Sequence, residues 1–120
     1  MFIFCHIEKC GGTSVNKFLS LSFLRYIHVT KNLVEGNDEI NNLTEDQFNK
    51  LLKFYPQGIG GHSIRPYIDI NHKKFKSALW ITFLREPVSR YMSHFNHAFE
   101  RGKTKDLNSF LNDDYSKNFI

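Results

Sequence analysis

The stretch that decides the fold is Phe2-Ile3-Phe4-Cys5-His6-Ile7-Glu8-Lys9-Cys10-Gly11-Gly12-Thr13-Ser14, in which an apolar run is followed by a lysine, two glycines and two hydroxyl residues. This order predicts a strand, an anion-binding turn and the start of a helix. Glycines let the backbone approach a ligand closely, and the first N–H groups of a helix have no intrahelical partner. Because Lys9 adds a positive charge beside them, the turn is predicted to bind a phosphate-like group.

A helix is predicted directly after this turn. Thr13 or Ser14 can accept hydrogen bonds from the first N–H groups, and the apolar residues that follow recur at helical spacing. The predicted inward face consists of Val15, Phe18, Leu19, Ser22 and Phe23. Residues 24–29 then suit a second short strand, and the polar residues 30–42 predict a loop.

A second helix and a glycine-rich strand are predicted over residues 43–62. Thr44 and Gln47 form a capping box, and Pro56 ends the helix. The apolar face is predicted to contain Phe48, Leu51, Leu52 and Tyr55, with Leu43 and Phe48 closing a hydrophobic staple. Residues 57–62 suit a strand whose backbone lies close to another group, and they place His62 at its end.

The last third of the chain predicts one more strand and two helices. Residues 78–84 are almost continuously apolar, as expected for a strand buried on both faces of a parallel sheet, and Arg85 closes this run. Pro87 suits the first turn of a helix, and Asp106 suits the cap of another. The helix from Pro87 is predicted to end near Gly102 and to present Val88, Tyr91, Met92, Phe95 and Phe99 on one face.

Alternating strands and helices predict a three-layer, P-loop-like α/β fold with a parallel sheet, in one domain over residues 1–120. Ligands of such folds bind at the carboxyl ends of the strands. The Lys9 turn, His62 and Arg85 are all predicted to lie at such ends.

Composition sets broad limits on partners and location. The net charge of +4 favours anionic ligands without choosing among nucleotides, sugars, nucleic acids and membranes. The apolar runs are too short for a membrane span, so a cytoplasmic protein is expected unless an upstream anchor precedes this chain. Cys5 and Cys10 are interpreted as free thiols of a reducing compartment, and His94 and His97 lack a third ligand for a metal.

Individually, the candidate site residues each have an ordinary structural interpretation. The turn is not a Walker A loop, because Lys9 precedes the two glycines, and it could be a simple glycine turn with a solvated lysine. Arg85 could pair with Glu86, and His62 could serve only as a structural hydrogen-bonding residue. The basic cluster at residues 72–76 is interpreted as a solvated face, with a polyanion contact as the alternative.

Residues 6–14 resemble the 5'-phosphosulfate-binding loop of sulfotransferases that use 3'-phosphoadenosine 5'-phosphosulfate (PAPS), in particular carbohydrate sulfotransferases related to heparan sulfate 2-O-sulfotransferase. The usual family form is close to His-Ile-Pro-Lys-Thr-Gly-Gly-Thr-Ser. Here Glu8 replaces the proline and Cys10 replaces the threonine, whereas the lysine, the glycines and the hydroxyls are kept. Residues 83–95 are similar to the family's 3'-phosphate motif, with Arg85 and Ser93 at the matching positions.

The resemblance implies a PAPS-dependent sulfotransferase that acts on a hydroxyl of a carbohydrate by in-line displacement. His62 is implied as the general base, and Lys9 as the group that stabilises charge on the leaving side. The implied cofactor-binding residues are Lys9, Cys10, Gly11, Gly12, Thr13, Ser14, Arg85 and Ser93. No metal and no nucleic-acid partner are expected.

Family members are usually about twice as long, so the resemblance implies an amino-terminal half whose domain is incomplete. The alternative hypotheses are a nucleotide- or phosphate-binding module without catalysis, an inactive sulfotransferase fragment, and a small basic nucleic-acid binder. Poor or no turnover by the chain on its own is therefore expected. The acceptor, its sulfated position and the oligomeric state are not specified by the sequence.

Overall fold

A computed structural model describes residues 1–30 and 42–113. The loop predicted for residues 30–42 lies, except for its two end residues, outside the described residues. The chain divides into two compact units, Met1–Phe83 and Leu84–Ile120, called the first and second unit below. Each unit is described by itself.

The first unit is built on a parallel sheet, which confirms the predicted α/β class. Its four strands lie in the order β2-β3-β1-β4, and every neighbouring pair is parallel. The strands are β1 (Phe2–Cys5), β2 (Tyr26–His28), β3 (Gly58–Gly61) and β4 (Leu79–Ile81). The helices of this unit are α1 (Gly12–Ser22), α2 (Glu45–Leu52) and the single turn α3 (Lys73–Lys76).

Alternate residues of β1 pack on opposite faces of the sheet, as the pleat of a strand requires. Ile3 belongs to a buried apolar cluster. The other members of that cluster are Val29, Leu43, Phe48, Leu51, Ile59, Ile64, Ile70 and Phe75. On the other face, the ring of Phe2 lies 5.0 Å from that of Phe23 and 5.8 Å from that of Tyr26. Most of the core therefore lies on the face of the sheet that packs against α2 and α3. The aromatic contacts of Phe2 lie on the opposite face.

The helix after the turn forms where the sequence predicts it, but its inward face and its cap differ from the prediction. The buried residues of α1 are Gly12, Asn16 and Leu19, whereas Phe18 is 65% exposed. Gly11 is the N-cap, and no side chain of the described residues caps this end. The inward face predicted from the apolar spacing was wrong because α1 directs a polar side chain, that of Asn16, toward the sheet.

The second helix follows its sequence signals closely at its start. Thr44 and Gln47 form the predicted capping box, with Thr44 Oγ1 accepting from the Gln47 N–H. Phe48 and Leu51 are buried as predicted, but the helix ends at Leu52, earlier than Pro56 suggested. Tyr55 lies beyond it with a positive φ of 49° and an exposed ring, so its place on the apolar face was wrongly predicted.

The glycines of β3 lie against bulky neighbours, as predicted for a backbone in close contact with another group. A Cβ on Gly60 would lie 2.0 Å from the hydroxyl oxygen of Tyr26. A Cβ on Gly61 would lie 2.3 Å from the carbonyl oxygen of Val29. Glycine at these positions therefore lets β3 pair with β2 while the Tyr26 ring covers β3. His62 follows β3 directly.

The fourth strand is shorter and more exposed than its apolar sequence predicts. β4 covers Leu79–Ile81 and pairs with β1 alone in the described sheet. Leu79 is 67% exposed, and Trp80 and Ile81 are half-buried, so the prediction of burial on both faces is wrong. The strand also ends well before Arg85, which therefore does not close it.

The second unit contains α4 (Pro87–Glu100) and α5 (Leu107–Asn112). Pro87 occupies the first turn of α4, and Asp106 caps α5 through a 2.7 Å hydrogen bond from the Ser109 N–H, both as predicted. Gly102 follows the end of α4 with φ 65°. The buried residues of α4 are His94 and Ala98, and Val88, Met92 and Phe99 of the predicted face are exposed.

Candidate functional site

The turn after β1 and the first three residues of α1, together called the anion loop below (residues 8–14), have the backbone geometry of a ligand cradle. Lys9 and Gly11 have positive φ values of 59° and 78°. The first helical bond runs from the Val15 N–H to the Gly11 carbonyl, so the N–H groups of residues 12–14 precede the hydrogen-bonded ladder of the helix. Gly11, Thr13 and Ser14 are exposed. The loop can therefore present several N–H donors and the Lys9 charge to an anion.

His6 forms the floor of this loop. It is 5% exposed, and a Cβ on Gly12 would lie 1.8 Å from its Cδ2 and 2.0 Å from its Nε2. Only glycine leaves room for the imidazole at this point, because real Cβ atoms do not approach other atoms so closely. The second glycine of the motif is thus required by a side chain of the protein itself, in addition to any ligand.

A hydrogen-bonded chain holds the His6 ring from behind. The Tyr26 hydroxyl donates to Asn16 Oδ1 at 2.5 Å, and Asn16 Nδ2 lies 3.2 Å from His6 Nδ1. Since an amide nitrogen only donates, His6 Nδ1 must accept, and the proton of a neutral His6 is then on Nε2. Burial raises the pKa of the Tyr26 hydroxyl well above its usual value, so it remains a donor.

His62, which follows β3, lies against His6 at the end of β1. The two rings stack with centroids 3.7 Å apart and an interplanar angle of 26°. His62 Nδ1 is 3.0 Å from the main-chain carbonyl oxygen of His6. A carbonyl only accepts, so Nδ1 carries the proton and Nε2 of a neutral His62 keeps its lone pair.

Burial is the main influence that favours the neutral form of both imidazoles. The pKa of His6 is lowered to about 4, first by burial and then by the charges that His62, His28 and Arg65 carry when they are protonated. Burial also lowers the pKa of His62, while the Glu8 carboxylate acts in the opposite direction. Arg65 Nη1 donates to the His6 carbonyl at 3.2 Å, which fills the second lone pair of that oxygen. A neutral His62 is the form that can accept a proton.

Arg85 and Ser93 belong to the second unit. Arg85 is exposed just before α4, and Ser93 is half-buried on that helix. The Glu86 carboxylate caps α4, accepting from the N–H groups of Val88 at 2.9 Å and Ser89 at 2.7 Å. These bonds hold the pKa of Glu86 below its usual value, with a smaller effect from the charge of Arg85. Glu86 therefore serves the helix, and Arg85 presents its guanidinium to solvent.

Other residues singled out by the sequence have ordinary environments. Cys5 and Cys10 are free thiols, and Cys5 Sγ lies 3.7 Å from Arg65 Nη1. The lysines of α3 are exposed around a buried Phe75, as predicted for a solvated basic face. Within residues 1–30 and 42–113, no group of three or more His, Cys, Asp or Glu side chains is placed to hold a metal ion. None of the helices in those ranges is long and apolar enough to cross a membrane.

Comparison of the chain with known protein families gives one match. The model of the sulfotransferase family matches residues 1–119. The chain belongs to the sulfotransferase family. No curated protein matched it, and no solved structure did. Membership makes sulfuryl transfer the general chemistry of this sulfotransferase chain, and a hydroxyl acceptor follows from that chemistry.

Sequence reasoning located the anion loop and His62 but missed the side chains that hold them together. His6, Asn16, Tyr26 and Arg65 all lie around the site. One signal was present in the sequence: Asn16 is four residues after Gly12, which is the spacing of neighbours on one face of a helix. The helical spacing of Val15, Phe18 and Leu19 instead favoured a face made of apolar residues.

Proposed function

We propose that this sulfotransferase transfers a sulfuryl group from PAPS to a hydroxyl of a carbohydrate acceptor by in-line displacement. The observation that carries the proposal is the pairing of the anion loop with a neutral histidine whose Nε2 is available as a base. His6 contacts both groups, through Gly12 on one side and the His62 ring on the other. The choice of donor and acceptor rests on the similarity of residues 6–14 and 83–95 to the motifs of carbohydrate sulfotransferases.

The anion loop suits the 5'-phosphosulfate group of PAPS in its chemistry. We assign the binding of this phosphosulfate group to Lys9, Cys10, Gly11, Gly12, Thr13 and Ser14. The uncapped helix start offers N–H donors, and no atom lies within 4 Å of the position that a Cβ on Gly11 would occupy, which leaves the backbone there open to an anion. Lys9 and these N–H groups stabilise the negative charge that builds on the leaving phosphate oxygen.

His62 is proposed as the general base. Its Nδ1–H is engaged by the His6 carbonyl, so Nε2 takes the proton of the acceptor hydroxyl as the oxygen attacks sulfur. Bound PAPS supplies the activated sulfuryl group. Arg85 and Ser93 are proposed to bind its 3'-phosphate, since a guanidinium offers paired donors and a serine adds a hydroxyl.

Calorimetry with two nucleotides tests the proposed ligand. The chain is titrated with 3'-phosphoadenosine 5'-phosphate and with ATP, and the same titrations are repeated with Arg85→Ala. We expect a preference for the 3'-phosphorylated nucleotide that Arg85→Ala removes. Equal affinity for both nucleotides would instead indicate a general phosphate-binding module without this specificity.

Transfer from labelled PAPS to a panel of carbohydrates tests catalysis. Lys9→Ala is expected to lower turnover by about 10²- to 10³-fold, as the loss of one oxyanion donor does elsewhere. Lys17→Ala, which removes an exposed lysine of α1, is the matched control and is expected to leave turnover unchanged. Unchanged transfer by a folded Lys9→Ala variant would overturn the assignment of the loop.

A further inference from the structure

We propose that His6 is a positioning residue, which holds the base His62 and the anion loop in one fixed arrangement and is itself held by the Asn16–Tyr26 hydrogen-bond chain. This inference rests on the proposed function, because it assigns His62 the role of base. It goes beyond that function by giving a task to side chains that contact neither donor nor acceptor in the proposed mechanism.

The first part of the argument is that His6 contacts both halves of the site. Its carbonyl oxygen accepts from His62 Nδ1 at 3.0 Å and from Arg65 Nη1 at 3.2 Å, so both lone pairs are engaged. Its ring stacks on that of His62 at 3.7 Å and fills the space beneath Gly12. A shift of the His6 ring would therefore disturb the base and the start of α1 together.

The second part is that the His6 ring has one hydrogen-bonded orientation. Asn16 Nδ2 donates to His6 Nδ1, and Asn16 Oδ1 accepts from the Tyr26 hydroxyl. The amide nitrogen thus faces an acceptor and the amide oxygen faces a donor. Asn16 is 3% exposed, which makes the loss of either partner costly. The ring is further confined by Phe4, whose centroid lies 5.9 Å away. Packing and hydrogen bonds thus fix the same rotamer.

The charges around the two imidazoles are compatible with this arrangement. Burial, and after it Arg65 and His28, disfavour a proton on His62, whereas Glu8 and the hydrogen bond to the His6 carbonyl favour one. His62, His28 and Arg65 all disfavour a proton on His6. His6 is consequently neutral over the range in which His62 would work, so its ring acts on His62 by position and not by charge, while its carbonyl supplies the hydrogen bond to Nδ1.

Nitrogen NMR of the histidine rings tests the proposal without any need for turnover. In the full chain near pH 7, we expect His62 to be the Nδ1–H tautomer and His6 the Nε2–H tautomer. Two variants weaken the support of His6: Asn16→Leu, which keeps the approximate size of the side chain, and Tyr26→Phe, which removes one hydroxyl. In both variants we expect a measurable fraction of the other His62 tautomer to appear.

Kinetics provides the second measurement. Displacing a base by a fraction of an ångström lowers kcat while ground-state binding is little affected, so we expect kcat to fall about tenfold and KM to change less than about twofold. Tyr67→Phe is the matched control, because it removes the hydroxyl of a tyrosine that is 77% exposed. It should leave the tautomers and kcat unchanged.

Four results separate the possible failures. A wild-type His62 in the Nε2–H form would overturn the positioning role, and so would unchanged tautomers and kcat in a folded Tyr26→Phe variant. If Asn16→Leu does not fold, Tyr26→Phe decides alone, since it loses only an oxygen atom. If the chain neither binds PAPS-like nucleotides nor transfers sulfuryl groups while the tautomers respond as expected, the proposed function fails and the positioning of His62 by His6 stands.

Discussion

In the first unit, the side chains of His6, Asn16 and His62 are buried or half-buried and bond to residues 10 or more positions away, whereas in the second unit Glu86 is exposed and bonds within three residues. His62 and Arg65 both donate to the carbonyl of His6, across separations of 56 and 59 residues. Glu86, next to Arg85, bonds only to the start of its own helix. The first region is therefore a product of the tertiary fold, and the second is a local helix-capping arrangement that carries an exposed arginine.

This difference indicates how substitutions should act in the two regions. A change in the first unit alters the packing of neighbouring side chains, so function and stability fall together unless the substituted group is at the site's edge. A change at Arg85 alters only a solvated guanidinium, so ligand binding is expected to change while stability does not. The four predictions that follow test this contrast in order of decreasing effect.

His62→Asn is expected to have the largest effect, a loss of about 10³-fold in kcat, because the acceptor hydroxyl loses its proposed base. Asparagine still offers an N–H to the His6 carbonyl, so the fold should persist. Steady-state transfer from labelled PAPS measures the loss. His72→Asn is the control, since His72 caps α3 through Nδ1 and asparagine caps helices well. Equal rates for the two variants would contradict the role of His62.

Gly12→Ala is expected to lower the free energy of unfolding by about 3 kcal/mol, because its Cβ would overlap the His6 ring. Gly102→Ala in the second unit is the matched comparison. It meets no atom within 4 Å and carries only the cost of its positive φ, about 1 kcal/mol. Urea denaturation measures both. Equal losses would mean that His6 moves aside easily and that the contrast between the units is weaker than proposed.

The stability of the fold should depend on pH through His6. Its pKa is about 4 in the folded protein against an ordinary value of 6.5, so between these values the unfolded chain binds a proton that the folded chain excludes. Stability therefore falls as the pH is lowered, by about 2 kcal/mol between pH 8 and pH 5 from this group. Denaturation at several pH values measures the slope. His6→Phe should flatten it, and an unchanged slope would contradict the assignment.

Arg85→Ala should have the smallest effect. We expect about a tenfold loss of affinity for 3'-phosphoadenosine 5'-phosphate, since the charge-assisted pair of hydrogen bonds proposed for Arg85 is removed. The free energy of unfolding should change by less than about 0.5 kcal/mol because Arg85 is exposed. Arg101→Ala, at another exposed arginine of the second unit, is the control for net charge. A large destabilisation by Arg85→Ala would show that this region is more than local structure.

The elements with strong local signals were predicted correctly. The capping box of α2, the proline at the start of α4 and the aspartate cap of α5 are all present, because each depends on contacts within three residues. The inward face of α1 and the burial of β4 were predicted wrongly. Apolar spacing cannot reveal that Asn16 is directed inward by Tyr26 and His6, nor that β4 pairs on one side within the described sheet.

The sequence by itself determined the order of the strands and of the helices other than α3, the anion loop with Lys9 and its glycines, and the position of His62 after a strand, since all of these are contiguous patterns. Only the tertiary structure decided that His62 stacks on His6, that Gly12 is required by a protein side chain, and that Asn16 and Tyr26 hold the arrangement. The physical reason is that parallel strands distant in sequence are hydrogen-bonded neighbours in the sheet. The residues that follow β1 and β3 meet because Cys5 pairs with Gly61.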